Sequence, residues 1–342
     1  MRIFAKALKP GDKIALLSPS SGAAGMFKIR FQKAVRFFHD SGYQPVVFPS
    51  SKGAHPFYSV SAEERLDDIH AAFQDEEIKA IVCNIGGLSC NDLIARLDYS
   101  LIKSHPKILV GYSDITILQL AIFAKTGLVS FYGPMSMTQF AEFPQPQQYT
   151  LDHFFPLLTN ARDMPMQICA PAAWTDEVLF WEQEDIRPRT MQEYSGFSWL
   201  RQGVARGILL GGCLPSLLQL FGTPFEPDFQ DKILFLENPE GEDMRKGMAL
   251  SYVRSALADL DNTGVFGRIS GLVIGNPYGY SQDEGEIYIG LIKEITKAYN
   301  FPVLTGFPVG HADPIATLPI GVEVSMDSEK NLFMLHEAGV DA

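Results

Sequence analysis

The sequence predicts an α/β protein of two domains, the first an open parallel sheet flanked by helices and the second a mixed, strand-rich α/β unit. Three observations carry this. Short β-branched and aliphatic runs alternate with amphipathic stretches through the first 125 or so residues, which is the rhythm of βαβ units. Glycines and polar loops punctuate the changes of element, as turn chemistry requires. The 342 residues exceed the ~100–200 of an ordinary single domain, and the texture changes between residues 142 and 201, where Phe143-Pro-Gln-Pro-Gln-Gln148 and an alternating-charge stretch at 182–195 replace the regular pattern. The expected domains are 1–165 and 166–342, with a connector around 160–175.

In order, Ile14-Ala-Leu-Leu reads as the first strand and Ser18-Pro-Ser-Ser-Gly22 as the loop at its end. Residues 27–41 carry Phe31, Val35 and Phe38 at helical spacing, and Gly42 stops them. A strand is expected at 44–48 and a helix at 62–73, where Ser61-Ala-Glu-Glu64 has the form of a capping box. The third strand, 78–84, ends in Ile85-Gly-Gly-Leu-Ser-Cys-Asn91, and residues 92–97 begin the next helix. Lys107-Ile-Leu-Val-Gly-Tyr-Ser-Asp-Ile-Thr116 then reads as strand, tight turn and helix, with Ile115, Leu118 and Ile122 on one helical face. In the second half, strands are expected at 203–210, 232–237, 269–275 and 302–305, a turn at 211–215, helices at 216–221, 245–260 and 284–299, and a terminal hairpin.

Composition narrows the function. The 46% hydrophobic and 20% charged content is that of a globular chain. A formal charge of −12 disfavours nucleic acid or an anionic membrane as partner. No apolar run reaches the ~18 residues of a membrane span, and the N-terminal residues show no signal-peptide pattern, so a cytoplasmic protein is expected. Cys83, Cys90, Cys169 and Cys213 lack metal-ligand or CxxC spacing, so no metal is expected and core thiols in a reducing compartment are the ordinary reading.

Candidate chemistry gathers at strand ends, because ligands of open α/β sheets bind outside the carboxyl edge. Ser113 lies in the turn after one strand, with the helix N-terminus behind it, as in a nucleophile elbow. The letters depart from G-x-S-x-G, since Ile115 stands where the second glycine belongs, and Ser113 or Asp114 as a simple helix cap is the alternative. Gly86 and Gly87 suit backbone donors approached closely by a ligand, or else a turn needing positive φ. Ser18-Pro-Ser-Ser-Gly22 lacks the lysine and glycine spacing of a phosphate loop. Among seven histidines, His311 projects from a loop after a strand, whereas His39, His70, His153, His55 and His105 lie in helical or polar surface stretches. Glu237 ends an apolar strand, where an unpaired carboxylate is costly; an imidazolium, a lysine or a backbone cap would each serve as partner.

Gly111-Tyr-Ser-Asp-Ile-Thr116, Ile85-Gly-Gly87, Gly211-Gly212, the strand ending at Glu237 and Gly306-Phe-Pro-Val-Gly-His311 together resemble the LD-carboxypeptidase family of serine peptidases, in order over nearly the whole chain. The resemblance implies a flavodoxin-like N-terminal domain with Ser113 as nucleophile, and a C-terminal domain with His311 as base and Glu237 as its orienting acid. It also implies hydrolysis without metal or cofactor, a cytoplasmic setting and a homodimer. Backbone N–H groups of Gly87 and Asp114 are the expected oxyanion donors by position. Ile85 stands where the murein branch usually has arginine. Ile85-Gly-Gly87 with Asn91, Leu97-Asp-Tyr99 and Trp174-Thr-Asp-Glu-Val-Leu-Phe-Trp181 resemble instead the microcin C self-immunity branch, which hydrolyses an aspartyl–nucleotide bond. The expected substrate is thus a small peptide or aminoacyl-nucleotide, with Gly86, Asn91 and Trp181 (or Trp174) as substrate contacts and Trp181 stacking on the base. Murein tetrapeptide cleavage is the alternative. Cys213 replaces the usual asparagine after Gly211-Gly212, which removes one expected substrate hydrogen bond. A non-catalytic peptide or nucleotide binder, or an acyltransferase, would use the same features.

Overall fold

The apolar runs at Lys13–Leu17, Ile78–Cys83 and Ile108–Gly111 are buried almost throughout, as parallel strands covered on both faces must be. In the computed structural model, which describes residues 1–160 and 163–342, they lie in a sheet ordered Gln44–Val47, Lys13–Leu17, Ile78–Cys83, Ile108–Gly111, Ser130–Tyr132, all parallel. Numbered along the chain the order is 2-1-3-4-5, the flavodoxin-like arrangement. Residues 161 and 162, inside the expected connector, lie outside the described residues. Leu318–Ile320 adds an antiparallel strand beside Ser130–Tyr132, so a segment expected in the terminal hairpin instead finishes the N-terminal sheet.

Local signals set most element ends. The helix Ala62–Gln74 starts on the Ser61–Glu64 capping box, with both reciprocal bonds present. Residues 92–97 differ from expectation: they form turns after a short 3₁₀ segment, Cys90–Asp92. The α-helix begins only at Tyr99–Ser104, where Asp98 accepts from the N–H groups of Ser100 and Leu101. A capping side chain thus overrides weak periodicity upstream.

The second sheet runs Ser198–Arg201, Val303–Phe307, Gly271–Gly275, Ile233–Glu237, Val204–Cys213, Glu323–Asp327, Leu332–Leu335, Met166–Gln167. Its four inner strands from Val303–Phe307 to Val204–Cys213 are parallel, and the flanking pairs are antiparallel. The turn expected at 211–215 is absent. Gly211, Gly212 and Cys213 continue the strand, opposite Phe235, Leu236 and Glu237. The helix that follows is Leu214–Leu218. Residues 245–249 are likewise not helical; that helix is Leu250–Asn262, leaving a loop from 238 to 249 above the sheet edge.

The two sheets meet through Ile115–Thr126. Its periodicity suggests one apolar face, yet every residue from Ile115 to Ile122 is buried, because the N-terminal sheet covers one side and the Val204–Cys213 strand the other. Thr116 makes the polar link: its Oγ1 accepts from the Cys213 N–H at 3.1 Å in a buried setting. Among the described residues, no helix is long and apolar enough to cross a membrane. Thr116→Val keeps the shape and strands the Cys213 N–H, a change expected to cost about 1–3 kcal/mol. A thermal midpoint lowered by several degrees is the expected outcome in differential scanning calorimetry; an unchanged midpoint would show that this bond does not help dock the sheets.

Candidate active site

The turn after Ile108–Gly111 holds Ser113 at φ 61°, a left-handed conformation that costs a non-glycine residue roughly 1–2 kcal/mol. Several contacts enforce it. The Ser113 carbonyl accepts from the Thr116 N–H at 3.0 Å, and its N–H donates to the Tyr132 hydroxyl at 3.3 Å. The missing second glycine of the elbow is explained by packing: a Cβ on Gly111 would lie 2.9 Å from Ile115 Cγ1, so Gly111 makes the room that Ile115 occupies.

Asp114 does not cap its helix. Its Oδ2 instead accepts from Ser20 Oγ at 2.5 Å and from the Ser89 and Cys90 N–H groups at 2.9 Å each, clamping the paired-glycine loop against the elbow. A Cβ on Gly86 would lie 2.9 Å from Ser113 Oγ, so only glycine lets the loop come this close. Neither the Gly87 nor the Asp114 N–H meets an acceptor among the described residues. The Ser113 hydroxyl makes no hydrogen bond among them either, so it caps nothing. The Ser18–Gly22 loop spends Ser20 on Asp114, and Ser21 donates its N–H to the Gly86 carbonyl at 3.0 Å, so the loop braces the site instead of cradling a phosphate.

From the other sheet, Ile233–Glu237 ends with a carboxylate whose side chain is 1% exposed. Glu237 Oε2 lies 2.7 Å from His311 Nδ1, and Oε1 accepts from the Tyr132 hydroxyl at 2.5 Å. Burial and the neighbouring carboxylate push the Tyr132 phenol well above its ordinary range, which keeps it a donor. Gly310 (φ 112°) turns the chain into His311, and a Cβ there would lie 2.8 Å from Glu237 Cβ. The imidazole sits between the rings of Tyr112 and Tyr278. Burial alone would lower its pKa; Glu237, with Glu240 and Asp313 behind it, outweighs burial and raises it to about 9.

Ser113, His311, Gly86, Gly87 and Trp181 line one cavity of about 410 Å³. Trp181 meets Phe27 edge-on, with ring centroids 5.5 Å apart, and carries the Arg30 guanidinium 4.7 Å from its ring centre. Two sequence candidates fall elsewhere. Trp174 pairs in a short ribbon with Gln192–Glu193, and Asn91 is exposed on the 3₁₀ segment; neither lines the cavity. Cys213 is buried beside Glu237. Of the arginines, Arg189 lines the cavity but pairs with Glu142 at 2.9 Å and Asp313 at 2.7 Å. Arg201 binds the carbonyls of Phe301 and Thr296, and Arg245 lies over Phe180 in an outer groove. Sequence reading missed Tyr132, Arg30 and Glu240. Tyr132 was findable, since its strand ends on the same carboxyl edge, and Glu240 lies three residues past Glu237.

Known proteins share this fold. The model of the LD-carboxypeptidase N-terminal domain matches residues 14–133, and that of the LD-carboxypeptidase C-terminal domain matches residues 206–326. The chain is 31% identical to the microcin C7 self-immunity protein MccF of Escherichia coli, over 96% of this chain and 95% of that one. It is also 31% identical to a probable murein peptide carboxypeptidase of Bacillus subtilis, over 98% and 94%. A solved structure of MccF in complex with aspartyl sulfamoyl adenosine superposes with a TM-score of 0.91 at 28% identity, covering 99% of this chain and all of that one. With both family regions matched and full-length relatives above 30% identity, this chain belongs to the LD-carboxypeptidase family.

Proposed function

We propose that the chain hydrolyses an acyl–nitrogen bond near the C-terminus of a peptidyl- or aminoacyl-nucleotide, with Ser113 as nucleophile, His311 as base and Glu237 as its orienting acid. The observation that carries this is the single cavity in which a strained, unbonded Ser113 hydroxyl, a His311 imidazole fixed by Glu237 and an aromatic wall at Trp181 come together. Ser113 Oγ attacks the carbonyl carbon as His311 Nε2 takes its proton, and the unpaired Gly87 and Asp114 N–H groups face the oxyanion. The tetrahedral adduct collapses, and the leaving nitrogen takes the proton from Nε2. Water repeats the sequence: it gives a proton to Nε2, attacks the acyl carbon and frees Ser113 with that proton returned to Oγ. Glu237 stabilises the imidazolium formed in each half.

The nucleotide preference is supported by Trp181, an indole on the cavity wall suited to stacking on a base, and by the likeness to MccF, which was solved with aspartyl sulfamoyl adenosine. Cleavage of a murein peptide is the second reading, supported by the equally similar Bacillus subtilis relative. The reading includes a cytoplasmic homodimer, for which sedimentation velocity is the direct measurement.

Turnover followed by mass spectrometry on aspartyl sulfamoyl adenosine and on a murein tetrapeptide ending in D-alanine separates the two substrates. Ser113→Ala should lose at least ~10³-fold in kcat with the fold intact; turnover retained by the variant would overturn Ser113 as nucleophile, and a wild type that neither turns over nor takes a fluorophosphonate label absent from Ser113→Ala would favour a binding protein. The base form of His311 is required, so kcat/KM should rise with pH toward about 9. The raised pKa carries stability of opposite sense: it is full below the ordinary value near 6.5 and lost as pH rises through about 9. NMR titration of the imidazole checks both. Tyr132→Phe removes a donor from Glu237 and leaves the Ser113 N–H without an acceptor; kcat is expected to fall ~10–100-fold, corresponding to about 1.4–2.7 kcal/mol, with the His311 titration moved upward. An unmoved titration would reduce Tyr132 to packing.

A further inference from the structure

Of the carboxylates that line the cavity, all but one meet an arginine. Arg30 meets Asp185 at 3.2 Å, Arg189 meets Glu142 and Asp313, and Glu177 meets Arg187 at 2.7 Å. No hydrogen bond among the described residues is donated to the Glu240 carboxylate. Its one ion-pair neighbour among the described residues is His311 Nε2 at 3.6 Å, the nitrogen that serves Ser113 in the proposed mechanism. The Glu240 side chain is 37% exposed and stands on the cavity wall, held there by the backbone bridge of Glu240 with Gly247.

We propose that Glu240 is a specificity residue that receives a protonated amine carried within about one residue of the scissile bond, and so selects substrates whose acyl group keeps a free amino group. The inference rests on the hydrolase reading above. Five carboxylates line the cavity, from Glu142, Glu177, Asp185, Glu240 and Asp313, against two arginines, and both arginines are already engaged. An anionic group placed beside Glu240 meets repulsion and finds both arginines taken. A ligand without a cation would bury Glu240 with only the distant imidazole as partner, which is unfavourable. An ammonium satisfies the carboxylate and, in doing so, weakens its hold on the imidazolium at Nε2. His311 is faced by Glu237 from its strand, Asp313 from its own loop, Glu240 from the 238–249 loop, the Tyr112 and Tyr278 rings, and Arg189 beyond Asp313. Only the Glu240 contact is open to a ligand's charge.

The test compares alanyl sulfamoyl adenosine with its N-acetylated form at pH 7, where an α-amine of pKa about 8 is mostly protonated. kcat/KM is measured for wild type, Glu240→Gln and Glu240→Asp, and Kd by calorimetry in Ser113→Ala with and without Glu240→Gln. The wild type should prefer the free amine by ~10-fold or more, Glu240→Gln should reduce that ratio ~10-fold, and Glu240→Asp should keep most of it. A ratio unaltered by Glu240→Gln, with the rising limb of the pH profile moved to lower pH, would overturn the proposal and leave Glu240 only tuning His311. If the wild type binds both ligands and cleaves neither, the hydrolase reading fails while the Kd ratio still judges Glu240; if it binds neither, both fail.

Discussion

The buried carboxylate of Glu237 is the constraint on which this structure depends. A charge with 1% exposure costs several kcal/mol of desolvation unless donors meet it. Its two oxygens take donors from different places: Tyr132 from the end of the N-terminal sheet and His311 from a loop of the second half. Neither half satisfies Glu237 alone, so docking of the sheets and assembly of the site are one event. The same tyrosine oxygen accepts the Ser113 N–H. A continuous chain of hydrogen bonds therefore runs from the elbow backbone to the imidazole, and low surrounding polarity strengthens each link.

Strain at Ser113 is held by the same logic. A left-handed serine persists only where its surroundings over-determine it. Here the helix behind it is buried on every face from Ile115 to Ile122, Ile115 fills the space over Gly111, and Asp114 is drawn away from capping to clamp the 86–90 loop. That clamp sets the distance between Gly86 and the serine hydroxyl, so a residue that reads as a helix cap is a spacer between two catalytic-edge loops.

Electrostatics distinguishes this cavity from a general anion site. Its arginines are neutralised in place, Arg30 by Asp185 and Arg189 by Glu142 and Asp313. They build the wall, and Arg30 lies against the Trp181 ring. The overall charge of −12 therefore matters less than the local count, which leaves one carboxylate open beside the imidazole.

Much of the fold was legible because it rests on local physics. The apolar runs from Ile14, Ile78 and Ile108, the Ser61–Glu64 capping box and the stop at Gly42 act over a few residues, and each appears where its pattern predicts. Family resemblance at Ser113, Gly86-Gly87 and His311 pointed to residues that the structure gathers around one cavity, and Glu237 stands behind His311. Where local signals were weak, the reading slipped: residues 92–97 turn, Gly211-Gly212 stay extended, and Leu318–Ile320 leaves the hairpin for the other sheet. The sequence by itself determined the alternation of strands and helices and the residue types held at the strand ends. The tertiary structure alone decided that Tyr132 bridges Ser113 and Glu237, that Asp114 clamps instead of caps, that Trp174 and Asn91 lie off the cavity, and that Glu240 stands within it facing only His311. Those outcomes depend on donors and acceptors about 20 to 105 residues apart, and sequence spacing holds no record of which of them burial brings together.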